Sequence, residues 1–493
     1  MNNLVTLFNT IPLPYKYVRV PKPEERPNTP KAPIRYYINR VITNLTRATF
    51  KHSGFRVTQD EREWNASWGR QYTMEEYQKC EAWQKINHYA GAFLMGRKDH
   101  LNCRMNELKS RVGEFASFYP TSYLLPGDQA KLNRDWKEKP VWIVKPSASS
   151  RGRGIHLLAS AANDPPTEPG VVQEYITNPL LITKRKFDIR LYVLIPNIEP
   201  LRIYIHSAGL ARFCTHEYDP NGSPDDLNMH LTNFSVNKED DRFIRCDTKE
   251  SVSDSKWSLD FFLDYMKKQG HDPSAIMKEF ERVSIATIIA GMCEIKKTHL
   301  KNIRHRHTSY EMYGIDIMLD EDMKCHLIEV NISPSLSGLD SKLDERLKYP
   351  LNLDLLRMAR IIECNPSIPD PCPGVEIIDK LFFESMSKER IAAVVDKGED
   401  PWQNPVFADF VIIRDFIEET QISSNFRLIF PLPQTMEKFF PCFNKLSYRD
   451  IVFTKWMAMS VAKRYSVVKE HWSVYKNGME SVTKALQPNL NAL

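Results

Sequence analysis

The sequence lacks most of the features that assign a protein at a glance. Nine cysteines are scattered without a single CxxC spacing, and an odd, unpaired set argues for reduced thiols in a cytosolic compartment rather than a disulfide framework or zinc site. No window holds 18 uninterrupted apolar residues; the most apolar helical run, Ser284 to Cys293, has the length of a buried helix. The start has no charged segment followed by an apolar core, so no secretory signal is expected. There is no internal repeat, Walker P-loop or in-register GxGxxG. The net charge of +5 is small for 493 residues.

What is present describes a globular chain of about three domains, with 42% hydrophobic and 26% charged residues. Its charge is uneven. Between Arg19 and Arg56 stand nine Lys/Arg against two Asp/Glu, a surplus suited to an acidic partner: nucleic acid, anionic lipid or an acidic protein tail. A solvated basic face accounts for it equally well.

The centre of the chain is Tyr313 to Leu336, two apolar-alternating strands around a charged turn. With the turn centred on Asp322 and Met323, Asp316 lies opposite Glu329, and Asn331 shares the face of Glu329. Three oxygen-bearing side chains on one face form a hard-oxygen site, better matched to Mg²⁺ with phosphates than to zinc or copper. Carboxylates on a strand face are more often simply solvated, so the context has to decide.

Taken in order, residues 1–33 carry seven prolines and should be an extended arm. Tyr36 to Arg47 reads as a helix, Lys85 to Asp99 as a polar loop, and about Leu101 to Phe118 as a helix. Val141 to Lys145 is a buried-type strand ending in lysine, followed by a Ser147 to Ile155 loop in which Gly152 and Gly154 permit a backbone anion nest, with Lys145 and Arg151 adding positive charge. Such a loop is by itself most often only a turn. Val171 to Ile176 is a further strand. Lys186 to Ile195 alternates at first, which puts Lys186, Asp188 and Arg190 on one face and Phe187, Ile189 and Leu191 on the other. Leu201 to Ile205 and Ala208 to Phe213 read as a hairpin bringing Arg212 nearby, and His230 to Ser235 as a polar loop. Helices are expected over Ser258 to Lys268, over Pro273 to about Lys297 and after Pro350. Prolines 366 to 373 mark a linker to a helical remainder, about 375 to 493, without a glycine loop or carboxylate cluster of its own.

The order of these phrases resembles the ATP-grasp ligases and, within them, the polyglutamylase branch of the tubulin tyrosine ligase-like family. It rests on Trp142 to Pro146, Arg151-Gly152-x-Gly154-Ile155, Lys186 to Arg190, His230 to Asn233 and Ile328 to Leu336, with Asn87-His88 and Gly96 to Asp99 upstream, covering about residues 34 to 366 and more loosely Arg427 to Pro431. The resemblance implies an α/β (α+β) ATP-grasp fold: an arm at 1–33, an N-terminal lobe at 34–97, a central lobe at 98–183, a C-terminal lobe at 184–366 and a helical extension at 367–493. It implies ATP held by Lys98, Lys145, Arg151, Gly152, Gln173, Glu174, Tyr175, Ile176, Lys186, Phe187, Asp188, Thr232 and Asn233, and Mg²⁺ held by Asp316, Glu329 and Asn331. Arg212, Lys186 and Arg190 would act at the reacting centre, while Arg151, Arg212, Phe234, Ser235 and Lys256 would face the substrates.

The implied reaction joins free L-glutamate to a glutamate side chain in a tubulin tail through an acyl phosphate, with chain initiation favoured by Ile332 to Leu336. It needs charge neutralisation and alignment, not a Ser-His-Asp or Cys-His nucleophile. A cytoplasmic monomer working on microtubules, or at a cilium or basal body, follows, with the basic surplus meeting an acidic tail rather than nucleic acid or membrane. One departure stands out: Phe234 occupies a position where the family usually has tyrosine, and a lost hydroxyl alters selectivity. A glycine ligase, a glutamylase of another acidic protein and a catalytically silent microtubule-binding scaffold are the alternatives.

Overall fold

The computed structural model describes residues 1–149, 152–247 and 249–490, with side chains to residue 487. It is a mixed α/β protein with three sheets among the described residues. The first contains β1 (Arg35–Asn39), β2 (Arg56–Thr58), β3 (Ala66–Gly69) and β4 (Lys85–Ile86), all parallel, in the order β2-β1-β3-β4. The helix expected over Tyr36 to Arg47 is thus a strand followed by a shorter helix, Asn44–His52. Parallel partners on both sides satisfy the backbone of β1, Tyr36 stacks on Phe50 at 4.4 Å, and Thr43 caps the helix by accepting from the Thr46 amide. The polar loop expected over Lys85 to Asp99 is not continuous either: it opens with β4 and closes with the helices Phe93–Gly96 and Lys98–Val112.

The second sheet is antiparallel: β5 (Ser122–Leu125), β6 (Val141–Lys145), β7 (His156–Ala159) and β8 (Gly170–Glu174), ordered β5-β8-β6-β7 over a small core of Trp136, Trp142, Val144 and Val172. The third runs β12-β11-β10-β13-β14, with β9 on β10 and β15 on β11. Its strands are β9 (Leu181–Ile182), β10 (Arg185–Ile195), β11 (Ile203–Phe213), β12 (Lys256–Ser258), β13 (Glu311–Leu319), β14 (Cys325–Asn331) and β15 (Phe426–Phe430).

The sequence of β10 explains its place. Beyond Arg190 it is apolar at every position, because Leu191, Val193 and Ile195 enter one core while Tyr192 and Leu194 enter another. Before that point it alternates, since one face meets the helices and the other a cleft. The helix Pro273–Asn302, N-capped by Asp272, buries Val283 and Ile285 through Met292 beneath the same sheet.

Four expectations need correction. The hairpin at 201–213 is one strand, β11, because His206 pairs with Phe426 of β15 and the Ser207 amide donates to the Asn425 carbonyl, while against β10 the same stretch is absorbed in a register shift between Leu191 and Val193 in place of a turn. The helix around Pro350 starts earlier, at Lys342, and carries that proline inside it. Residues 2–9 are helical rather than extended: Leu4 and Phe8 are buried against the helices Phe407–Thr420 and Trp472–Leu490, each contributing about 1.5–3 kcal/mol of burial, and Arg414 donates to the Phe8 and Ile11 carbonyls. The C-terminal remainder supplies strand β15 and shares the main apolar core, so it is continuous with the body.

Candidate functional site

The central hairpin pairs Gly314 with Asn331 and Asp316 with Glu329, the partners expected. Its turn, closed by Leu319 and Cys325, is however centred on Asp322 alone rather than on Asp322 and Met323, and a bulge makes up the missing residue. The register then slips by one, pairing Ile317 with Leu327, so a bulge lies directly beside Asp316. Asn331 Nδ2 donates to Glu329 Oε1 at 3.0 Å and reaches Asp316 Oδ2 at 3.4 Å. The three side chains therefore meet, and their hard-oxygen chemistry fits Mg²⁺.

Asp316 and Glu329 of this trio floor one end of a cleft between the second and third sheets. Ile143, Ile155 and Leu231 line one wall and Met318 and Ile328 another, a slot suited to a flat ring. At the end of β8, Glu174, Tyr175 and Ile176 line its edge. Lys145 Nζ donates to Gln173 Oε1 at 2.6 Å; Lys186 Nζ donates to the Tyr175 hydroxyl at 2.9 Å and the His230 carbonyl at 3.1 Å. Neither lysine has a carboxylate partner within ion-pair distance among the described residues. Burial pushes Lys145 down to about 8, opposed by Glu329 and reinforced by Lys98 and Lys186. Lys186 is likewise pushed by burial to about 8. Two buried, half-compensated ammonium groups facing a cleft are poised for an anion.

Below them runs a ring of charge. Arg190 holds Asp316 bidentately, its Nη2 reaching Oδ2 at 2.8 Å; Arg212 joins Asp188 (Nε to Oδ1, 2.7 Å) to Asp316 (2.8 Å). Thr232 Oγ1 donates to Asp188 Oδ2 at 2.7 Å. Burial alone would raise Asp316, but the two guanidiniums outweigh it and hold the carboxyl at about 2; for Asp188 burial wins over Arg212 and the shift is upward. Lys98 Nζ donates to the Ser149 carbonyl at 2.8 Å and lies 3.8 Å from Glu329.

Of the remaining candidates, Gly152 has φ +76°, and a Cβ there would come within 3.0 Å of Val236. Thr232 and Asn233 line the cleft, and Phe234 and Ser235 occupy the helical turn that follows. Phe187 turns the other way, into the core against Phe213 and Phe262. Arg151 lies outside the described residues. Lys256 pairs across β12 with Arg212, stands 3.9 Å over the Phe234 ring and donates to Asp344 at 2.9 Å, which also binds Lys348 at 2.6 Å. Asp344, Lys348 and His230, whose ring bonds the Tyr175 hydroxyl at 2.8 Å, escaped sequence reasoning as members of the site. Asp344 and Lys348 sit in the first turns of the helix Lys342–Ala359, ahead of the start expected after Pro350, and only the quoted phrase around His230 hinted at its place.

A cleft flat and apolar at one end and cationic over carboxylates at the other can seat a nucleotide-like polyanion. The chain matches the profile of the Tubulin-tyrosine ligase family over residues 74–368, and it belongs to that family. Among its relatives, the tubulin polyglutamylase ttll-4 of Caenorhabditis briggsae is 33% identical over 438 residues, 85% of this chain and 71% of that protein. The tubulin monoglutamylase TTLL4 of Mus musculus is 34% identical over 365 residues (73% of this chain, 30% of that protein), and the tubulin polyglutamylase TTLL5 of Mus musculus 36% over 343 residues (68% and 26%). The chain thus spans about a third or less of the mouse relatives' length.

Proposed function

We propose that the protein is an ATP- and Mg²⁺-dependent carboxylate–amine ligase of the ATP-grasp type that attaches glutamate to glutamate side chains in acidic tubulin tails. The observation that carries this is the pair of buried lysines, Lys145 and Lys186, aimed into an apolar-walled cleft over Asp316, Glu329 and Asn331. In this reading residues 98–183 and 184–366 are the two lobes that hold the nucleotide, 34–97 precede them and 367–493 brace them.

The slot between Ile143, Met318 and Ile328 takes the adenine, with Glu174 to Ile176 along its edge. Lys98, Lys145 and Lys186 neutralise phosphate charge, and Asp188 with Thr232 addresses the ribose. Glu329, Asn331 and Asp316 would hold Mg²⁺, which screens the phosphates so that phosphoryl transfer can activate the acceptor carboxylate as an acyl phosphate. Arg212, beside Lys256, orients the donor's carboxylate so that its amine reaches the activated acyl carbon; Arg190 keeps Asp316 ionised and placed. The names of the relatives favour glutamate as donor and tubulin as acceptor, hence a cytoplasmic, microtubule-associated monomer. The Ile332 to Leu336 ending favours chain initiation.

Incubation with microtubules, ATP and labelled glutamate tests the reading: incorporation is expected, with loss in Glu329→Gln. No incorporation by the unaltered protein sinks it. Phe234, whose ring carries Lys256 and offers no hydroxyl, favours one second reading, a glycine donor. Competition between labelled glutamate and labelled glycine separates the two.

A further inference from the structure

Away from the cleft, the segment around Tyr15 and Tyr17, strand β4 and the helical extension line a small chamber with room for about one water-sized body. Lys85 lines it. The residue is only 5% exposed, and among the described residues its Nζ has no hydrogen-bond or ion-pair partner.

The surrounding charges pair off without it. Arg202 meets Glu419 at 2.6 Å and Arg360 meets the same carboxylate at 3.3 Å; Arg306 meets Asp379 at 2.7 Å and Asp415 at 3.0 Å. Three arginines and three carboxylates are thereby matched, and Lys85 is the surplus cation. The other polar side chains of the wall are committed too. Gln84 donates to the Arg62 carbonyl and accepts from the Glu81 amide; His307, pushed by burial to about 4 and so neutral, uses both ring nitrogens on Asp415 and Asn197. The phenols of Tyr15 and Tyr17 hydrogen-bond each other, and burial raises both, so they stay protonated and the pair keeps one hydroxyl hydrogen to donate. A chamber whose uncommitted side-chain donors are one ammonium and one hydroxyl hydrogen of the Tyr15–Tyr17 pair, with Arg360 alongside, selects against cations and for an anion.

We propose that this chamber binds one small monovalent anion, chloride or a species of its size, between Lys85 Nζ and the free hydroxyl hydrogen of the Tyr15–Tyr17 pair. An unpaired buried ammonium is costly, and burial with Arg360 nearby already pushes Lys85 down to about 7; an anion reverses that cost and ties the N-terminal segment to β4. The site is independent of the ligase reading.

The test is thermal unfolding of the full chain in sodium chloride against sodium gluconate at equal ionic strength, gluconate being too bulky to enter. The expected result is a saturable rise in Tm of roughly 2 °C or more in chloride, abolished in Lys85→Met. Where that variant fails to fold, Tyr17→Phe should shift the chloride midpoint several-fold upward. Bromide soaked into crystals of the unaltered protein should give an anomalous peak at hydrogen-bond distance from Lys85 Nζ. Coincident chloride and gluconate curves, or a chamber without bromide, overturns the proposal.

Discussion

Two clusters of buried charge lie on the central sheet and its surroundings, and they are built in opposite ways. At the seam with the helical extension, Arg202, Arg306 and Arg360 each meet a carboxylate, and Tyr204 adds a hydrogen bond of 3.0 Å to Glu419. In the cleft, Lys145 and Lys186 are equally buried yet rest on a side-chain amide, a phenol and a carbonyl. The first cluster has satisfied its charge internally and serves the fold. The second keeps charge in reserve, which stabilises nothing until an anion arrives.

The sharpest break of this contrast is Glu419→Gln. It leaves Arg202 and Arg360 buried beside a neutral amide and should cost about 3–5 kcal/mol of stability, read by denaturant unfolding; the double variant Arg202→Met with Glu419→Leu should recover much of it. Loss of less than about 1 kcal/mol in the single variant would mean that the seam is not charge-balanced as described.

Lys186→Met comes next and inverts the pattern. Stability should hold or rise, because a buried ammonium is replaced by an apolar chain, while affinity for a nucleotide analogue measured by calorimetry should fall about 100-fold, or roughly 2.7 kcal/mol. A parallel loss of folding would place Lys186 with the structural cluster.

A pH series sharpens the comparison further. The folded protein holds Lys145 and Lys186 at about 8, against the ordinary 10.5 of the unfolded chain. Between those values the unfolded chain binds more protons, so these groups make stability climb as pH rises from about 8 toward 10.5, while nucleotide affinity declines over the same interval as the ammonium charge is lost. The double replacement by Met should flatten both slopes. Smallest of all, Lys342→Ala removes an exposed pair with Glu345 at 3.3 Å and should change stability by no more than about 0.5 kcal/mol.

Much of this was legible in the chain. The alternation in Lys186 to Arg190 separates a cleft face from a core face, and Asp316 lies opposite Glu329 as expected, though through a bulge that offsets a tighter turn rather than through the turn itself. Legibility failed where several partners compete for one segment. Tyr36 to Asn39 has an unremarkable pattern and becomes a strand because β2 and β3 flank it; residues 203–213 become one strand because two neighbours share their ladder. Phe187 lies within a motif phrase, yet its side chain follows strand alternation into the core.

By itself the sequence determined which residues could meet: strand periods, the turn and the ordered phrases place lysines, glycines and carboxylates along two sheets, because those relations are local. Only the tertiary structure decided which charges are spent and which are free. Glu419 lies 217 residues from Arg202 and Asp344 88 from Lys256, and no local rule joins them. Pairing across such distances is set by how the sheets and helices pack, and that packing leaves Lys145 and Lys186 facing the cleft without a counter-charge, and Lys85 facing its chamber.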